Sequence, residues 1–373
     1  MTANRAHIRG DHVDLIIRNA RLPNRSVGEP LDLGVAGGKI VTIESGLADA
    51  AETYDAGGRL VCAGLIETHI HLDKARIIDR CPPEAAREIS PMRQVAALKS
   101  SFTVEDVRAR AEGTLVECIL NGATRMRTQV EVDPAIGMRG FDAVQSLIAD
   151  YRWAIDIEIC VFPQDGLTNC PATDELLVEG LKRGVKVIGG APRYDTDSAG
   201  QIRRIFDLAR EYDVDIDLHL DVGNTPEAMH IRYVCELTEQ HRRGGRVVVG
   251  RMAKLSMIPP DQLAVLARRL ADVGIAVTVL PATDLYLNGA RCCRAGLEFG
   301  RSRSFFSLRR TFLQGRAGRK GSADRSTKDA HIIATGDLPH LLWGEAATQH
   351  RRDEVAAAAL RHPAFCRFPR TAR

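Results

Sequence analysis

The segment LVCAGLIETHIHLDK, residues 60–74, decides the fold. It begins as an apolar run of strand character and ends in Thr68-His69-Ile70-His71. Alternate residues of a strand point the same way, so His69 and His71 leave one face together. Two imidazoles at that spacing can share one divalent ion. A lone His-x-His is equally consistent with two hydrogen-bonded polar residues at a strand end, so the flanking sequence has to separate the readings.

Upstream, DLIIRNARL (14–22) and DLGVAGGKIVTI (32–43) are short and β-rich, with Pro, Asn and Gly between them. Gly37-Gly38 reads as a tight hairpin turn. These segments predict a small N-terminal β domain over residues 1–60. Downstream, strands and helices alternate. Strand patterns fall at 60–71, 123–132, 156–162, 185–190, 213–222, 246–250 and 275–280. Amphipathic stretches lie between them. One opens on Thr103 and Asp106 as a capping box. A second runs from Pro226 to Gly244 and a third from Pro259-Pro260 to Gly274, each with proline first and glycine last.

Seven strand–helix units at a spacing of roughly 30 residues, with an eighth expected, favour a closed parallel barrel over an open sheet. The predicted fold is therefore α/β, a (β/α)8-type TIM barrel over residues 61–289, its last unit missing or aberrant. Such barrels carry their active sites at the C-terminal ends of the strands, where His69 and His71 stand. The sequence shows no internal repeat and no glycine-rich phosphate loop.

The 373 residues leave room for one barrel of roughly 250 residues and a small second domain. With 45% hydrophobic and 27% charged residues the composition is that of an ordinary globular chain. No apolar run approaches the ~18 residues that span a membrane. The opening MTANRAHIRGDH has no apolar signal core. Nine cysteines without a CxxC pair fit a reducing cytoplasm.

The passage Asp55-Ala-Gly-Gly-Arg-Leu-Val-Cys-Ala-Gly-Leu-Ile-Glu-Thr-His-Ile-His71 resembles the amidohydrolase superfamily signature, in which a small β domain leads into the barrel. The longer match is to the cytosine deaminase-like branch. It takes in His-Leu-Asp-Lys (71–74), Asn-Gly-Ala-Thr-Arg-Met-Arg-Thr-Gln-Val-Glu-Val (121–132), Val-Phe-Pro-Gln-Asp-Gly (161–166), Asp-Leu-His-Leu-Asp (217–221) and Lys-Leu-Ser-Met-Ile-Pro-Pro (254–260). The resemblance spans residues 13–289. It implies one divalent metal, zinc or iron, held by the strand-1 pair His69 and His71, a strand-5 histidine and a strand-8 aspartate.

His219 fills the strand-5 place. In DVDIDLHLDV, polar 215, 217, 219 and 221 alternate with apolar neighbours, which puts His219 and Asp221 on one face. Gln164 and Lys74 are the substrate-binding candidates. A side-chain amide can donate to and accept from a cyclic amide edge at once, and a polar residue capping a strand end explains Gln164 equally well. The implied substrate is a small cyclic amide or amidine, and a homo-oligomer is compatible with the resemblance.

Four positions depart from the pattern. The family's strand-5 glutamate, which shuttles protons, is replaced by Val222, leaving Asp221 as the nearby acid. The strand-6 histidine is replaced by Arg251, which can stabilise an oxyanion but does not titrate near neutral pH. Strand 2 reads Arg127-Thr128-Gln129 where the family has Arg-Thr-His. The strand-8 aspartate ligand is not found: Asp284 belongs to the end of strand 7, Asp324 to no strand, and Asp337 comes late.

Residues 290–373 hold 15 Arg and 2 Lys against 7 acidic residues, a net +10 in a chain whose total is +3. The periodicity is lost at the same point. This segment resembles translation in a shifted reading frame more than a nucleic-acid-binding tail, because it lacks aromatic platforms and helical basic faces. The first expectation is thus a metal-dependent hydrolase or deaminase of C–N bonds other than peptide bonds. The alternatives are a degenerate member with the fold and little or no catalysis, and a barrel whose basic tail binds nucleic acid.

Overall fold

The seven strands expected after residue 60 hydrogen-bond in chain order into one parallel sheet: β5 (Leu65–Ile70), β6 (Ala123–Glu131), β7 (Asp156–Phe162), β8 (Val187–Gly190), β9 (Asp215–His219), β10 (Val247–Gly250) and β11 (Ile275–Thr278). This computed structural model describes residues 13–23, 30–48, 50–81, 91–223 and 225–280. The expectations for residues 290–373, and the position of Asp284, lie outside the described residues.

The described residues divide after Gly64 into two units. In the first, β1 (Leu15–Ala20), β2 (Leu31–Ala36), β3 (Lys39–Glu44) and β4 (Glu52–Asp55) form one sheet in the order β3-β2-β1-β4. The hairpin between β2 and β3 turns at Gly37 and Gly38, both at positive φ. Glycine has no Cβ to clash there, which fits the predicted turn.

In the second unit the parallel sheet curls as a TIM-like barrel does. Helices lie between the strands: α1 (Pro91–Leu98), α2 (Val104–Leu120), α3 (Arg139–Tyr151), α4 (Ala172–Lys182), α5 (Ser198–Glu211), α6 (Ile231–Gln240) and α7 (Pro260–Val273). Strand alternation separates two kinds of side chain. Ile157, Ile159 and Val161 of β7 and Ile216 and Leu218 of β9 join the large hydrophobic core, with Leu147, Leu177, Ile205 and Leu270 from the helices. Each such side chain contributes about 1.5–3 kcal/mol on full burial. The alternate positions Arg127, Gln129, Glu158 and Asp217 meet one another on the other face. A parallel strand whose second face carries charge in this way departs from the all-apolar pattern of a sheet covered on both sides.

The helix ends bear out some expectations and correct others. Thr103 Oγ1 accepts from the backbone N–H of Asp106 at 3.2 Å, the first half of the capping box. The Asp106 carboxylate instead takes Arg80 and Arg110. Helix α7 starts at Pro260 and ends on Gly274 at φ 78, as proline-first, glycine-last predicts. The helix expected over 226–244 is shorter, running from Ile231 to Gln240. Ala228 sits at φ 48, which no helix accommodates, and the Asp221 carboxylate starts the helix by accepting from the N–H groups of His230 and Ile231.

Candidate metal centre

His69 is the fifth residue of β5, and His71 follows the strand directly. The chain then makes a short 3-10 turn over Leu72–Lys74. Two contacts pin that turn to β6: Leu72 N–H donates to Thr128 Oγ1 at 3.1 Å, and Glu131 N–H donates to the Asp73 carboxylate at 2.9 Å. His219 ends β9. The three imidazoles meet at the C-terminal ends of their strands, with ring centroids 4.6 Å (His69–His219), 5.1 Å (His71–His219) and 5.4 Å (His69–His71) apart. One nitrogen from each lies within 4.8 Å of the others, and the Nε2 atoms of His71 and His219 are 3.1 Å apart. Phe162, the last residue of β7, stacks on His219 at 4.8 Å and closes one side. Gly250 closes another, because a Cβ there would stand 3.3 Å from His69 Nδ1.

The donor set fits a divalent cation. Among the described residues, both ring nitrogens of His69 and the Nδ1 atoms of His71 and His219 are buried without a hydrogen-bond partner, an arrangement that costs free energy unless something else satisfies it. The imidazoles are also held neutral, as ligation requires. Burial, then the charges of Arg251 and Arg127, bring His69 down to about 3. Burial first, with Lys74 next for His71 and His69 next for His219, lowers the other two well below the usual histidine range.

The sign of the pH dependence follows. Each histidine binds a proton less readily folded than unfolded, so its contribution to stability is fully present above pH ~6.5. For His69 it is lost as pH falls from there toward about 3. Thermal melts of the chelator-treated chain should show stability falling by about 1.4 kcal/mol per pH unit for each imidazole below that point. A His71→Gln variant should lose part of the slope, and a slope unchanged by it would contradict this picture.

The other expected site residues lie as follows. Lys74 is half-buried, pairs with Glu131 at 2.5 Å and stands 5.2 Å over the Phe162 ring. Gln164 is buried just past the end of β7. Arg251 follows β10 directly with φ 61, and its Nε is buried without a partner among the described residues. Asp221 departs from the expected common face with His219. It stands beyond the end of β9 at φ 48, where strand alternation no longer applies, and both its oxygens take backbone N–H groups at the start of α6.

Two clusters escape the sequence reading. Lys99 pairs at once with Glu131 (2.6 Å), Asp133 and Asp165, and Glu131 also takes Lys74. The carboxylates of Glu131, Asp133 and Asp165 lie close enough together to suit a cation, and the ammonium of Lys99 meets that need. Glu131 and Asp133 stand two apart after Gln129, the same alternation that exposed the histidines, whereas nothing in AALKSSF marks Lys99. The second cluster joins Arg127 to Glu158 at 2.7 Å and to the fully buried Asp217 at 3.1 Å, with Gln129 donating to Asp217 at 3.4 Å. Burial raises Asp217, and Arg127 opposes that.

A parallel barrel sheet with a histidine cluster at the C-terminal ends of its strands has that cluster where barrel enzymes carry their active sites. Residues 60–301 match the amidohydrolase family, and the chain belongs to that family, whose similar members here are hydrolases of C–N bonds. It is 27% identical over 299 residues to N-isopropylammelide isopropyl amidohydrolase of Pseudomonas sp. strain ADP, covering 77% of this chain and 73% of that one. It is 24% identical to pterin deaminase of Rhizobium rhizogenes, covering 69% and 59%. The crystal structure of 5-methylcytosine deaminase from Klebsiella pneumoniae liganded with 5-fluorocytosine superposes with a TM-score of 0.64 at 26% identity, covering 70% of this chain and 64% of that one. The chain thus spans less than two thirds of the last two. Among the described residues no helix is long and apolar enough to cross a membrane, and six cysteines are unpaired.

Proposed function

We propose that this chain is a metal-dependent hydrolase that removes an amino or substituted amino group from a cyclic amide or amidine in the cytoplasm. The observation that carries the reading is the convergence of His69, His71 and His219 from β5 and β9 on one point, with one nitrogen of each within 4.8 Å. These three would hold one ion, zinc or iron. When bound, such an ion supplies Lewis acidity and a water ionisable near pH 7. Water adds across the C–N bond, its oxygen staying on the ring carbon and its proton leaving with the amine.

The chain's own residues do the rest. Phe162 offers a flat apolar wall beside His219. Gln164 reads the amide edge of the ring, which needs a donor and an acceptor side by side. Lys74, anchored by Glu131, holds positive charge beside His71. Arg251 takes the strand-6 place and sets a fixed positive charge beside the imidazoles. Asp221 caps α6, each of its oxygens accepting one backbone N–H, and is the acid that stands beyond the end of β9.

One observation favours the degenerate reading: Val222 stands in the proton-shuttle place, and the acid beside it, Asp221, already accepts two backbone N–H groups. The experiment is to load the full chain with zinc or ferrous iron and follow ammonia or amine release from cyclic amides and amidines. Turnover that requires the metal is expected. Stoichiometric metal without turnover on any of them would sustain the degenerate reading instead.

A further inference from the structure

Arg251 is a charge beside the imidazoles that no carboxylate among the described residues matches; Arg193 and Lys254, nearby, at least donate to backbone carbonyls. Lys74 and Lys99 are neutralised by Glu131, Asp133 and Asp165. Arg127 is neutralised by Glu158 and Asp217. Arg251 has no carboxylate partner among the described residues, and its Nε–H is buried with nothing to donate to. Its neighbour Gly250 pairs in register with His219 and Thr278, and a Cβ at Gly250 would stand 3.3 Å from His69, so Arg251 leaves the sheet beside the imidazoles. Its charge is felt by all three.

A guanidinium that the described residues leave in that condition has a donor edge open to an anion. The Nε–H and the neighbouring Nη–H form a two-pronged donor edge that matches the two oxygens of a carboxylate. Asp221, just past the end of the neighbouring strand β9, has turned its oxygens to the start of α6. Neutral imidazoles offer no counter-charge, and a divalent ion would add positive charge. A neutral ring entering this mouth would leave Arg251 desolvated and unpaired, which is costly, whereas a ring bearing a carboxylate would pair it.

We propose that Arg251 is a specificity-determining residue that receives a carboxylate carried on the substrate ring, so that the substrate class is an anionic nitrogen heterocycle. This rests on the hydrolase reading for its location but not for its test. The full chain, zinc-loaded and metal-free, is titrated calorimetrically with two matched pairs: uracil and orotate, and pterin and pterin-6-carboxylate. At least one carboxylate should bind tenfold or more tighter than its neutral partner, with and without zinc. High salt should weaken that carboxylate and spare the neutral ring.

Arg251→Gln should abolish the preference, and Arg251→Lys, which keeps the charge without the fork, should retain only part of it. The proposal is overturned if neither carboxylate shows the preference, if the preference survives in Arg251→Gln, or if it disappears when zinc is removed. Should Arg251→Gln fail to fold, Arg251→Lys and the salt dependence of the parent decide the matter. Zinc content, measured separately, reports on the histidine site, so loss of one reading leaves the other standing or falling by itself.

Discussion

His219→Ala should release the metal. The variant is expected to retain less than a tenth of the parent's zinc after dialysis against buffered zinc, with affinity lowered at least about 100-fold. Loss of groups that only orient a ligand already costs 10–100-fold. His219 stands 4.6 and 5.1 Å, ring to ring, from the two strand-1 histidines and is buried with His69. Removing it leaves two donors from one strand end and nothing from β9. Hydrolysis should fall in step with metal content. His230→Ala is the control, since that imidazole faces Asp221 at 3.9 Å and takes no part in the cluster. Equal zinc in the His219→Ala and parent proteins would place the metal elsewhere.

Lys99→Met should be the most damaging change to stability, at about 3–5 kcal/mol, or a melting temperature lower by roughly 10 °C. The ammonium of Lys99 is the common partner of Glu131, Asp133 and Asp165, and its side chain is only 5% exposed. Asp165, at 41%, can turn to water, but Glu131 and Asp133 cannot. Two buried carboxylates would be left facing each other with only Lys74 to share. The deficit should narrow as pH falls from 7 toward 4, because protonation then relieves the repulsion. In the parent, by contrast, Lys74 and Lys99 overcome burial and hold Glu131 down to about 2, so its stabilisation is present above the unfolded value near 4.5 and is lost below it. A variant as stable as the parent at pH 7 would show that the cluster carries little energy.

What the sequence reveals, and what it hides, follows from how far each signal reaches along the chain. His69, His71 and His219 are legible because strand alternation is local: residues two apart share a face wherever the strand forms. The order of the strands is legible for a related reason, since each βα unit repeats the same short-range pattern. Asp221 is where this fails. Alternation assigns it to the face of His219, but the strand stops first and the chain turns at φ 48, so the carboxylate serves a helix that begins ten residues on. The same event moves the start of α6 away from Pro226. Lys99 is hidden altogether, because its three partners lie 32, 34 and 66 residues away and nothing next to it hints at them. Arg127 and Asp217 are 90 residues apart. Each reads as an ordinary charge until β6 and β9 are placed in one sheet.

The two Nε2 atoms that lie 3.1 Å apart belong to residues separated by 148 positions of chain. An ion gripping both would therefore close a loop containing three whole strands, β6, β7 and β8. In the unfolded chain such a tether costs conformational entropy that grows only slowly with its length, so an ion bound there acts at long range as a staple. Its hold also depends on supply, because a ligand bound only by the folded state stabilises it by about 4 kcal/mol when free at 1,000 times its dissociation constant, and by nothing when scarce. The lifetime of the barrel unit would then be set by the free metal around it, and a chain starved of metal would be removed before its lack of activity was felt.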